Sequence, residues 1–364
     1  MREADFNKYL RKNPAPALRL PQGTTSAAVI PVYDEADELP ATLDSLLASA
    51  CASAEKTLLL FVVNEPAGAD NASSLQALEI IDRFAAKYDF IRSLYTPQLA
   101  NGVGEARKTG MDAICNQLRF GELDSFVLCS LDADTHISKE YFSIVPAALR
   151  RNSGALSIGF SHRTSSDPAT ENAIRLYENY LERYVTLLKK ANSPYAFHTI
   201  GSAFAVRADA YIAAGGMRMR QAGEDFYFLQ AAAKSSQVRT LDRILVHPSP
   251  RVSSRVPFGT GPAVGRILAG EMPQDIPDAA FEALKEILAL ANSPGKLDSP
   301  QNLLSEMPQK CRDFFIAEKF PELWQKVLKN LPENEKKRQK AFHDWFDGLK
   351  TLRFLHFFEK FLIK

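Results

Sequence analysis

The chain is poor in cysteine, with four in 364 residues, and Cys51, Cys115, Cys129 and Cys311 form no Cys-x-x-Cys pair. That spread argues against a disulfide framework and predicts reduced core thiols of a cytoplasmic protein. Long apolar runs are missing as well. No window reaches the roughly 20 residues that a membrane helix needs, and the opening MREADFNKYLRKNPAPALRLPQG lacks the apolar centre of a signal peptide. Neither export nor a membrane span is expected. Charge of one sign is not in excess, since 44 Lys and Arg face 43 Asp and Glu for a net +1. No global field therefore draws the chain to nucleic acid, and electrostatic work must be local. Internal repeats and low-complexity tracts are absent too.

What is present is a chain long enough for one large domain and an appendage. From Ala27 onward short β-rich apolar runs alternate with helical segments, which predicts an α/β sheet that is mainly parallel. Strands are expected at Ala27 to Val32, Leu58 to Val63, Ile91 to Tyr95, Phe126 to Leu131, Ala155 to Phe160 and Ala203 to Val206. Helices are expected near Glu38 to Ser49, Ser73 to Lys87, Glu105 to Leu118 and Glu171 to Lys190. Ligands of such sheets bind beyond the carboxyl ends of the strands. After about Gly265 the strands stop, so the expected division is an N-terminal segment 1–25, a catalytic domain 26–265 and a helical extension 266–364. Its last part, Glu335 to Lys364, carries Phe342, Trp345, Leu349, Leu352, Leu355 and Phe358 beside Lys350, Arg353, Lys360 and Lys364. That face is expected to pack on the catalytic domain or form a homodimer, with peripheral contact at the inner face of a membrane as the other reading.

The segment SFVLCSLDADTHIS runs an apolar strand straight into Asp132-Ala133-Asp134. Residues two apart in extended chain project to the same side, so both carboxylates can face one point. Two hard oxygen donors suit Mg²⁺ or Mn²⁺, although acids at a strand end also cap helices. The first strand ends in Pro31, Tyr33 and acids that include Glu35, and a tyrosine there can stack on a base or plug the core. After the second strand Asn64 and Glu65 are expected in the loop that would meet a base. In ANGVGEARKTGM, Gly102 and Gly104 permit close approach, while Arg107 and Lys108 offer charge to a ribose, a phosphate or an acid. A dinucleotide fingerprint would instead follow the first strand. Downstream, Glu224-Asp225 opens an apolar helix, either as a cap or as the holder of a catalytic base. Finally RILVHPSPRVSSRVPFGTGP brings His247, a metal-ligand candidate or a structural histidine, then Arg251 and Arg255 beside a Gly/Pro-rich stretch of the kind that closes over sites.

Taken in order, IPVYDE, the strand ending in Asn64-Glu65, GVGEARKTGM, LDADT, GSAFAVR with GGM, and GEDFYFL resemble family 2 glycosyltransferases over roughly residues 26 to 260. The resemblance implies a GT-A fold, a mainly parallel nucleotide-binding sheet flanked by helices with a C-terminal helical extension. It implies a nucleoside-diphosphate sugar donor, Mn²⁺ or Mg²⁺, and an acceptor hydroxyl on a sugar, a lipid-linked group or a small molecule. By that resemblance Pro31, Tyr33, Glu35, Asn64, Glu65, Arg107, Asp132, Gly201, Ser202 and Arg255 would bind the donor. Asp134, with Asp132 and His247, would hold the metal, and Asp225 would be the base beside an acceptor-binding Glu224. Two departures stand out: Asn64-Glu65-Pro66 replaces the family's Asp-Asp or Asp-Gly-Ser loop, and the Q-x-x-R-W element of processive synthases is absent. An inverting enzyme that adds one sugar is the resulting expectation. The histidine followed by arginines also looks like glucosyl-3-phosphoglycerate synthases, which retain configuration. A sugar nucleotidyltransferase would instead show a Gly-rich loop with Arg where PVYDEADE stands.

Overall fold

A computed structural model of the chain describes residues 1–151, 154–253, 259–273, 275–331 and 333–359. There are two compact units, Met1–Glu178 with Phe197–Met272, and Asn179–Ala196 with Pro273–Lys364.

The first unit is built on one mixed sheet. Its strands are β1 (Ser26–Val32), β2 (Thr57–Pro66), β3 (Ile91–Leu99), β4 (Val127–Ser130), β5 (His136–Ile137), β6 (Ala155–Phe160), β7 (Phe204–Arg207) and β8 (Val238–His247). They lie in the order β3-β2-β1-β4-β7-β6-β8-β5. The first four are parallel to one another, with Val29 opposite both Leu60 and Ser130, whereas β7 runs antiparallel to β4 and β6. Strands β1 and β2 are buried nearly end to end, as expected of parallel strands covered on both faces. The two-residue β5 was not expected, and β8 was not among the expected strands, although the segment that leads into His247 reads as strand-like. The charged, half-exposed pattern of β8 conceals the period-2 alternation from which a strand is normally read.

The accompanying helices are α1 (Glu3–Lys12), α2 (Leu39–Ala52), α3 (Ala72–Ala85), α4 (Gly102–Cys115), α5 (Tyr141–Arg151), α6 (Pro168–Lys190), α7 (Ala208–Ala213), α8 (Glu224–Ser235) and α9 (Thr260–Leu268). Helix α4 lies directly on the sheet at Gly110, where an added Cβ would come within 2.5 Å of Val29 and 2.9 Å of Val62. On its other side Asp112 accepts hydrogen bonds from Tyr9 (2.6 Å), Tyr211 (2.9 Å) and Lys108 (2.7 Å). Buried polar groups require such pairing, and here it fastens α1 and α7 to α4.

The second unit contains the end of α6 and the helices α10 (Asp278–Ala291), α11 (Pro300–Leu304), α12 (Gln309–Ala317), α13 (Phe320–Asn330), α14 (Glu335–Trp345) and α15 (Gly348–Glu359). Phe315, Phe320, Trp324, Phe342, Phe346 and Phe354 form its centre, and the Trp324 indole donates to the Leu297 carbonyl at 3.0 Å. The amphipathic tail is two helices broken at Phe346, with Asp347 accepting from the Lys350 N–H at the start of α15 (3.1 Å). Phe342, Phe346, Phe354 and Leu355 of the tail are buried in this unit's own core, and Trp345, Leu352 and Phe358 are partly buried against it. No helix among the described residues is long and apolar enough to cross a membrane. Three cysteines are buried and free as expected, while Cys51 is exposed.

Overpacking a filled contact costs about 1–3 kcal/mol. Gly110→Ala should therefore lower the urea midpoint of unfolding by that amount of stability, and an unchanged midpoint would mean that α4 rides farther from the sheet.

Candidate active site

The parallel strands deliver their carboxyl ends to one edge, where the sequence predicted the chemistry. Arg107 lies one turn along α4 from Gly104 and is almost wholly buried, at 2% exposure. An arginine carries five N–H donors in a fixed fork, and here each edge of the fork is engaged. Nε donates to Glu224 Oε1 at 3.0 Å, and Nη1 donates to Ser130 Oγ at 2.6 Å and to the Leu131 carbonyl at 3.1 Å. Nη2 is ion-paired with Asp132 Oδ1. Gly201 makes room for this: a Cβ there would stand 2.7 Å from Nη2 and 3.4 Å from Asp225 Oδ2. The Gly201 carbonyl accepts from the Ser130 hydroxyl at 2.7 Å, and Ser202 is buried beside it.

Burial works against the Arg107 charge, but Asp132 and Glu224 more than offset it and raise its pKa. Glu224 is itself raised by burial, against the pull of Arg107. Asp225, at the start of α8, accepts from the Phe226 N–H at 2.7 Å. Burial, followed by the neighbouring Glu224 charge, pushes Asp225 up to about 8. A carboxyl poised this high is a candidate general base.

The other half of the D-x-D loop is held by a second guanidinium. Arg251 places Nε and Nη2 at 3.2 and 3.1 Å from Asp134 Oδ2 and is also ion-paired with Glu35 Oε1. Arg163 joins them, donating to Glu38 Oε2 at 2.7 Å and to the Asp134 carbonyl at 3.2 Å. Asp132 and Asp134 have side-chain exposures of 36% and 18%. Two hard carboxylates on one short loop, partly open to solvent, are donors of the type that Mg²⁺ or Mn²⁺ would take. Among the described residues no group of three or more His, Cys, Asp or Glu is gathered for a metal. The Nε2 of His247 meets Ser138 Oγ at 3.1 Å and its Nδ1 meets the Ser161 carbonyl at 3.2 Å.

Pro31 lies in β1 just past the last β1–β4 pair, where no β4 residue remains to be bonded, and Tyr33 and Glu35 follow at the strand's end. Asn64 and Glu65 are inside β2 rather than in the loop beyond it. The Asn64 amide donates to the Val32 and Val62 carbonyls at 3.1 and 3.0 Å, so sheet bonds, not solvent, define its place. Glu65 Oε1 accepts from the Tyr95 hydroxyl at 2.6 Å, and its Oε2 is buried without a hydrogen-bond partner. Arg255 lies outside the described residues. Ser130 and Arg163 went unnoticed in the sequence. A hydroxyl two residues before the first acid, within an apolar strand, was the available signal for Ser130.

The sequence profile described as Glycosyl transferase family 2 matches residues 27–214. No curated protein sequence gives a match. Among solved structures the chain is similar to residues 1–349 of TarS from S. aureus, at 14% identity over 84% of this chain and 90% of that one, with a TM-score of 0.45. It is similar to the mannosyltransferase PcManGT from Pyrobaculum calidifontis, in complex with GDP-Man and Mn²⁺, at 14% identity over 95% of each chain and a TM-score of 0.43. It is also similar to glucosyl-3-phosphoglycerate synthase from Mycobacterium tuberculosis in complex with UDP, at 10% identity over 85% and 86%, with a TM-score of 0.38.

Removing one member of a buried ion pair leaves an uncompensated charge and costs about 3–5 kcal/mol. Arg107→Ala should show a loss of that size in denaturant unfolding. Because the folded pKa of Asp225 lies above its ordinary 3.8, its proton stabilises the fold at low pH, and that contribution is lost as pH rises through about 8. Asp225→Asn cannot ionise, so its thermal midpoint should gain on the wild type as pH rises between the ordinary 3.8 and about 8 and should level off above that. A difference independent of pH would place Asp225 among ordinary carboxylates.

Proposed function

The chain belongs to glycosyl transferase family 2, and from that premise we propose that it moves one sugar from a nucleoside-diphosphate sugar to an acceptor hydroxyl with the help of a divalent cation. The observation that carries this reading is the Arg107 junction. One buried guanidinium binds Asp132 of the D-x-D loop and Glu224 beside Asp225, which couples a donor-side acid to the acceptor-side acids.

In this reading Asp225 removes the acceptor's proton as its oxygen attacks the anomeric carbon from the face opposite the leaving diphosphate. Attack from that side inverts configuration, through a transition state of oxocarbenium character. The raised proton affinity of Asp225 makes it a stronger base, in use once the pH allows it to ionise. Glu224, held on Arg107, keeps the first turn of α8 facing the acceptor. Tyr33 and Glu65 serve the nucleoside, with Glu35 at the end of β1, and Gly201 and Ser202 line the sugar subsite. Mn²⁺ or Mg²⁺, held through Asp134 and Asp132, would supply positive charge to the diphosphate. Arg251, already beside Asp134, is in place to add to that charge as the bond breaks. The absence of the Q-x-x-R-W element from the sequence supports a single addition over processive synthesis.

Titration of the purified chain with UDP and GDP, with and without Mn²⁺, tests the reading. Metal-dependent binding of one nucleotide is expected for the wild type, together with its loss in Asp134→Ala. Equal binding by the variant would remove the D-x-D loop from the donor site.

A further inference from the structure

The loop that leads into Glu224 and Asp225 carries a feature that the transfer mechanism leaves unused. Between α7 and α8 the chain runs Met217-Arg218-Met219-Arg220-Gln221, and from Arg218 onward it is exposed, Met219 to 54%. Backbone contacts hold this stretch. The Gly104 N–H, in the first turn of α4, donates to the Arg220 carbonyl at 3.1 Å. A Cβ on Gly104 would stand 2.5 Å from that oxygen and 2.8 Å from the Arg218 carbonyl. Only glycine admits so close an approach. The contact lies one helical turn from Arg107, on the same face of α4. Gly223, at a φ of 72°, then turns the chain directly into Glu224 and Asp225.

Exposed arginines are ordinary. This pair differs in its fixed backbone and in the seating of one of its side chains. The Arg220 guanidinium lies over the Tyr227 ring, 3.8 Å from its centroid, which keeps its planar fork oriented. Arg107, Arg163 and Arg251 are each held by carboxylates. Among the described residues neither Arg218 nor Arg220 is held by an acid. The guanidiniums within the site are already taken up by its own acids, Arg107 by Asp132 and Glu224 and Arg251 by Glu35 and Asp134, so an anionic group must find its cations beside them.

We infer that Arg218 and Arg220 form the acceptor subsite and that the acceptor bears a phosphate group. Paired N–H groups of the arginine forks bind phosphate oxygens, and a hydroxyl of the same molecule reaches Asp225. This assignment rests on the transfer reading above and names the acceptor class for it.

The test uses the full chain saturated with Mn²⁺ and whichever of UDP or GDP it binds. Glucose 6-phosphate and glucose are then titrated by calorimetry into wild type and Arg218→Ala/Arg220→Ala. The wild type should bind glucose 6-phosphate about 10- to 100-fold more tightly than the double variant does. Glucose should show no such difference, and nucleotide affinity should be the same in both proteins, which also reports that the variant is folded. Arg220→Lys, which keeps the charge and loses the fork, should recover only part of the affinity. Equal binding of glucose 6-phosphate by both proteins overturns the assignment, as does its failure to bind a wild type that holds nucleotide; in either case the transfer reading stands. A fall in nucleotide affinity moves the arginines to the donor and also overturns it. A wild type that binds no nucleotide removes the transfer reading and the acceptor assignment together.

Discussion

The site depends on a charge buried where water cannot solvate it. A guanidinium with 2% of its surface exposed would be untenable alone, since desolvation of an unpaired ion costs several kcal/mol. Arg107 is tenable because Asp132 and Glu224 neutralise it and because Ser130 and the Leu131 carbonyl occupy its remaining donors. The dependence runs the other way too. Glu224 is buried beside Asp225, and without Arg107 two neighbouring acids would share a desolvated turn of helix. Ser130 and Gly201 acquire their meaning from this centre, one as an acceptor to the fork and the other as space for it.

A second guanidinium repeats the device with looser geometry. Arg251 spans Glu35 and Asp134 and keeps about a third of its side chain in contact with solvent. Burial opposes its charge, and Glu35 and Asp134 raise its pKa in return. The two acids of the D-x-D loop are thus drawn toward different cations, Asp132 inward and Asp134 toward the end of β1.

Much of this was legible in the sequence, and the boundary of legibility has a physical cause. The α/β class followed from apolar runs alternating with helical periods, and the D-x-D position followed from an apolar strand that ends in acids. Both are local properties. A role for Glu224-Asp225 could be proposed because two acids opening an apolar helix are a local feature of the sequence. What could not be read was partnership. Arg251 meets Asp134 across 117 positions and Glu35 across 216, and no periodicity encodes such a pairing. The partners of His247 were hidden for the same reason, since Ser138 and Ser161, which meet its ring nitrogens, lie far from it in the chain. Asn64 was expected in the loop after β2, whereas the carbonyls of Val32 and Val62 give its amide a place inside the sheet.

The lodging of α4 has one further consequence. At Gly110 the helix touches the sheet without any intervening side chain, at Asp112 it is tied to α1 and α7, and at Gly104 it bears against the backbone ahead of α8. A rod clamped at three heights cannot roll about its axis, so Arg107 has almost no independent travel. Asp132 and Glu224 are thus joined through a single planar group held in place from several sides, with the first residues of the chain serving as part of the bearing.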